Sequence, residues 1–201
     1  MNSSIDKHLY VAEIVESSLY TWTAQCWRWD HIPEFGSLVH VHNKKRTIYG
    51  LVHGITTGSL DSNRYPFTYQ KTEEELMTEQ PQIFEFLKTH IICITLGFEE
   101  HEKITYQTPP EPPKIHAFVG PAQTQTLKVF FAKPDFLHLL FQSPDITQVD
   151  ELFLGLLRHL KKHNLLTEEK INLYLETLTL LIGNDYRRLS ILMQRIETLL
   201  S

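Results

Sequence analysis

The chain has 201 residues, 42% of them hydrophobic and 21% charged, which is globular composition with enough length for one large domain or two small ones. Its formal charge of −5 falls entirely on the front of the chain: residues 1–107 carry nine Lys/Arg against fourteen Asp/Glu, and residues 108–201 carry ten of each. That balance disfavours tight phosphate neutralisation by this chain alone, and no window reaches the ~20 apolar residues of a membrane span. With no apolar run of signal length at "MNSSIDKHLY" and two distant cysteines, Cys26 and Cys93, read as reduced core thiols, a cytoplasmic protein without membrane insertion is expected.

The first half has the aromatic and β-branched usage of strands. "LYVAEIVES" (9–17) and "LYTWTAQCWRW" (19–29) read as two strands, the second with Trp22, Ala24, Cys26 and Arg28 on one face. The Pro and Gly of "IPEFGSL" mark a turn. "LVHVH", the turn "NKKR" and "TIYGLVHGITT" then form a hairpin in which Gly50 and Gly54 signal bends. Pairing through Lys44-Lys45 sets Asn43 opposite Arg46, His42 opposite Thr47, Val41 opposite Ile48 and His40 opposite Tyr49. "TEEELMTEQPQIFEFLKTH" (72–90) is an inserted helical segment: Thr72 and three glutamates suit a helix start, and Pro81 restarts it. "HIICITLGF" (90–98) reads as a strand buried on both faces. Short strands with an edge to cover suggest a small closed barrel.

The run "QTPPEPPK" (107–114) holds four of the ten prolines and can continue neither a helix nor a central strand. Beyond it the periodicity turns helical: "VDELFLGLLRHLKKH", "TEEKINLYLETLTLLIGND" and "DYRRLSILMQRIETLL" carry leucine stripes, with a capping signature at Thr167 and a stop at Gly183. The expected fold is α+β: a β-barrel over 8–106 with an inserted helix, a proline-rich linker over 107–114, and a helical domain over 115–201.

Motifs for chemistry are sparse. There is no P-loop and no nucleophile elbow. His40 and His42 share a strand face, but a metal enzyme needs a third ligand, and in the stated register His53 falls opposite residue 36, out of easy reach. The acidic cluster Glu73 to Glu75 with Glu79 reads as a solvated helix start, and the leucine stripes as core. Lys44, Lys45 and Arg46 at the basic turn, and Ser59, Asp61 and Arg64 in the Gly/Ser/Asp-rich loop "TTGSLDSNRYP", are the candidate partner-binding residues. No cofactor is expected.

The pattern "YVAEIVESSLYTWTAQCW … FGSLVHVHNKKRTIYGLVHGITT … EQPQIFEFLKTHIICITLGF" resembles the HAS-barrel family, the barrels of HerA-type DNA-translocating ATPases and of ATP synthase catalytic subunits. The similarity covers roughly residues 8–98 and rests on the opening strand ending "EIVES", the "FGSLVHV" strand start, the basic turn and the return strand "YGLV". The tail resembles small stand-alone bacterial and cyanobacterial proteins in which such a barrel precedes a helical region. The resemblance implies a docking or ring-forming element. It implies no ATP hydrolysis, because no motor follows, and it brings no functional residue with it.

Three readings follow. The first is a non-enzymatic interaction or assembly module that binds a protein partner such as a multisubunit ring ATPase. The second is a single-stranded nucleic-acid module that stacks bases on Trp22, Trp27, Trp29 and Tyr49 and meets phosphates with Lys44, Lys45 and Arg46. The third is a metal-dependent barrel enzyme built on His40, His42 and His53.

Overall fold

The structure, a computed structural model, describes residues 7–59, 68–144 and 146–200. In chain order the strands and helices are β1 (Ala12–Ser17), β2 (Thr21–Cys26), β3 (Leu38–Asn43), β4 (Arg46–Ser59), α1 (Glu73–Glu79), α2 (Gln82–Glu85), β5 (Leu87–Glu100), β6 (Lys103–Thr105), β7 (Phe118–Pro121), α3 (Thr124–Phe130), α4 (Phe136–Phe141), α5 (Val149–Lys162), α6 (Glu168–Ile182) and α7 (Tyr186–Leu200). The fold is α+β, as the sequence pattern predicts. Among the described residues no helix is long and apolar enough to cross a membrane.

Six strands close into an antiparallel barrel in the order β1–β7–β3–β4–β5–β2, with β2 returning to β1 and β6 turning back onto the end of β5. The β3–β4 register is the predicted one. Alternation sends Val39, Val41, Val52, Ile91 and Cys93 into the barrel with Trp22, Ala24 and Val119. Trp22 fits because Gly50 faces it: a Cβ at Gly50 would lie 2.3 Å from the indole.

Three expectations are corrected. The second strand ends at Cys26, so Arg28 is outside the sheet, exposed and paired with Asp30. The barrel does not end before the prolines, because β7 lies beyond them and fills the gap between β1 and β3. A four-residue strand is too short to show a period, which is why a purely helical region from 115 was expected. Residues 107–114 are therefore a strap across one end of the barrel. Its backbone lacks N–H donors at the prolines, and its carbonyls accept instead: Ser17 Oγ donates to Pro113 O at 2.6 Å and Asn43 Nδ2 to Pro112 O at 3.1 Å.

The helical region shares the barrel's core. Leu38, Tyr49, Leu51, Ile94 and Leu96 point out of the barrel and form one apolar cluster with Phe130, Phe131, Phe136, Phe153, Leu156 and Tyr174. β3, β4 and β5 are thus buried on both faces, which accounts for the unbroken apolar run of "HIICITL". α5 comes close enough for backbone contact: Gly36, at φ +80°, has no room for a Cβ, which would sit 2.4 Å from the Gly155 carbonyl carbon. Arg188 clasps Asp150 at 2.6 Å and Arg195 clasps Glu151 at 2.6 Å, fixing α7 along α5.

Candidate functional site

Lys44 and Lys45 form the exposed tip of the β3–β4 hairpin. Arg46 does not join them as a docking cation. Its side chain is only 20% exposed, pairs with Glu100 at 2.9 Å and Glu111 of the strap at 3.2 Å, and lies over the Phe98 ring. Ser59 stands at the other end of β4, roughly 40 Å away along a strand of 14 residues, so Ser59 is not brought together with the basic turn. Asp61 and Arg64 lie outside the described residues.

Beside the lysine tip, the β5–β6 turn brings His101 and Glu102, both with left-handed backbone (φ 52° and 60°). The two turns enclose an open hollow of about 260 Å³, lined by His42 to Thr47 and by Glu99, His101 and Glu102. Glu99 is already engaged, accepting the Tyr49 hydroxyl at 2.5 Å, and burial together with that carboxylate pushes the Tyr49 pKa up.

A second hollow of about 220 Å³ lies across the outer face of β1, β7 and β3, lined by Tyr10, His42, His116, Ala117 and Phe118. Here the aromatics touch one another. Trp27 meets Phe118 edge-on with centroids 5.1 Å apart, and Tyr10 lies 5.7 Å from Phe118 and 6.2 Å from His40. Trp27 remains 42% exposed. His116, itself left-handed at φ 66°, holds Glu13 at 2.6 Å. His42 borders both hollows, and its Nδ1 is tied to Thr47 Oγ1 at 2.9 Å. An apolar aromatic half and a charged half, with Lys44 and Lys45 at its tip, therefore meet on one histidine.

His40 and His42 do stand together, with rings 4.8 Å apart. His40 is wedged against Gly120, and burial first, then His42, pulls its pKa down to about 4. His53 lies beyond Val52, which Gly36 and Ser37 bond, as the register predicts. Among the described residues no three His, Cys, Asp or Glu side chains have the grouping of a metal site. Of the aromatics expected to stack bases, Trp22 is 1% exposed inside the barrel, Tyr49 is buried under the helices, and Trp29 stacks on Phe84. Trp27 alone of the four is on this surface. Sequence reasoning missed Tyr10, Phe118 and His116 here, because three separate segments must assemble before the cluster exists.

Compared with protein-family models and with functionally characterised proteins, the sequence matches none.

Proposed function

We propose that this chain is a non-enzymatic interaction and assembly module whose barrel docks a protein partner through the surface centred on His42. The supporting observation is the Tyr10–Phe118–Trp27 cluster, half-buried at Tyr10 and Phe118 and exposed at Trp27, that runs into the Lys44–Lys45 tip. Exposed aromatics supply a large contact area at low entropy cost and anchor interfaces, while rim cations steer an acidic patch into register. The resemblance to HAS barrels suggests a multisubunit ring ATPase as the partner, met by side-by-side barrel packing. No cofactor enters this reading.

A tagged pull-down at moderate salt tests it. The wild-type chain is expected to recover one multisubunit complex near stoichiometry. Trp27→Ala, and separately a Lys44→Glu/Lys45→Glu pair, should each cut recovery at least about tenfold while leaving the circular dichroism unchanged. Recovery of this chain alone, or of a complex that both variants retain, would sink the proposal.

A further inference from the structure

Where the barrel meets α4, separate stretches of chain enclose a hollow of about 450 Å³. The turn before β2 contributes Tyr20, β5 contributes Ile94 and Thr95, and the start of the proline strap contributes Thr108. The turn is held by the backbone, where Thr95 N–H donates to Tyr20 O at 2.8 Å. α4 and the residues after it complete the wall. This helix commits Phe136, Leu137 and Leu140 to the shared core. Helical spacing leaves Leu139 and Gln142 on a neighbouring face, and both line the hollow.

The lining combines an apolar body with neutral polar groups. Ile94 is 3% exposed and Leu139 is half-buried, and together they supply apolar surface continuous with the core. Among the described residues that line the hollow there is no Asp, Glu, Lys or Arg. The side chains of Tyr20, Thr108, Gln142 and Ser143 are committed to no hydrogen bond among the described residues.

Thr95 differs from these exposed or half-buried groups. It is only 6% exposed, and its Oγ1 is buried without a hydrogen-bond partner. The large majority of buried side-chain polar atoms in native proteins are hydrogen-bonded. Valine has nearly the shape of threonine and no polar atom to satisfy, so the fold alone gives no reason for a hydroxyl here. A polar group seated in the hollow that Thr95 lines supplies the bond that the fold does not.

We propose that this hollow is a binding site for an uncharged small molecule, a ring compound that carries a hydroxyl group, with its rings on Ile94 and Leu139 and its hydroxyl hydrogen-bonded to Thr95 Oγ1. A threonine hydroxyl both donates and accepts, so a ligand hydroxyl answers it in either sense. Tyr20 and His138 put two rings in the lining, against which a flat ring system packs in stacked or edge-on contact. The volume is that of a small-molecule pocket. A charged ligand would give up its hydration and meet no opposite charge among these residues. The site shares no lining residue with the two hollows around His42.

2-Naphthol, an uncharged two-ring hydroxyl compound, is the probe. Titrated into the full chain labelled at its isoleucine and leucine methyl groups, it is expected to saturate one site with a Kd below about 1 mM and to shift the Ile94 and Leu139 signals. 2-Naphthoate, the same rings with a carboxylate in place of the hydroxyl, should bind at least about tenfold more weakly. Thr95→Val should raise the urea midpoint of the free protein and weaken 2-naphthol at least about fivefold. A purely structural role for Thr95 would not make the protein more stable and the complex weaker in one substitution. Leu139→Trp, which fills the hollow, should abolish the Ile94 shift. Absence of saturable binding overturns the proposal. So does binding that Thr95→Val leaves unchanged, that 2-naphthoate matches, or that shifts signals remote from Ile94 and Leu139.

Discussion

Protonating His40 means placing a charge between Tyr10, Gly120 and a second imidazole, in a position the barrel has largely dried. Its native pKa of about 4 lies below the ~6.5 of an unfolded histidine. Between those values the unfolded chain takes up a proton that the native chain refuses, so the His40 contribution is fully present above pH ~6.5 and is lost as pH falls through about 4. The size over that window is up to about 3 kcal/mol. Urea midpoints measured from pH 7.5 down to 4 should fall for the wild type and fall distinctly less for His40→Gln. Burial also lowers the pKa of His90 and His159, so some slope will persist in the variant. Parallel curves for the two proteins would remove His40 as the cause.

At the scale of elements, the proline strap is held by one side chain more than any other. Asn43 is buried at the end of β3, donates Nδ2 to Pro112 O at 3.1 Å and accepts Lys114 N–H at 3.4 Å. Asn43→Ala deletes both of these part-buried bonds, at a cost of about 1–3 kcal/mol for the pair. The measurable outcome is a lower urea midpoint together with faster proteolysis within 107–114; a strap that stays protected would show that Ser17 and Arg46 suffice. What could be read beforehand divides along similar lines. The β3–β4 register was legible because a two-residue turn fixes it, and so was the α1 start, where Thr72 and Glu75 form a reciprocal capping box. β5 runs beyond its expected ends, to Leu87–Glu100: at its far end a bulge beside Gly97 breaks the alternation, and at its start Leu87–Thr89 belong to the strand and not to the helical segment expected over 72–90. β7 was illegible because four residues carry no period. The aromatic cluster was illegible because Tyr10, Trp27 and Phe118 meet only after β7 has closed the ring.

At the scale of the whole molecule, the sequence pattern divides the chain at the prolines, and β7 and the shared apolar cluster join the two parts. A fragment of residues 8–106 lacks β7, so β1 and β3 each lose a partner and the barrel opens into a sheet with two new edges. It also uncovers Leu38, Leu51, Ile94 and Leu96, whose outward faces share one apolar cluster with the helices of the other half. Extending the fragment to residue 122 restores the ring but not that cover, since Phe130, Phe136, Phe153 and Leu156 still lie beyond it. Removing apolar area of this kind from its partners costs about 25 cal/mol per Å², and a few such side chains consume the 5–15 kcal/mol by which a domain is stable. Both fragments are therefore expected to give no cooperative melting transition and to bind a hydrophobic dye, while the full chain melts as one unit. A fragment of 8–106 that melted cooperatively would restore the two-domain division. A fragment ending at 122 that melted while the shorter one did not would assign the folding unit to the closed ring, with the helices as a later addition.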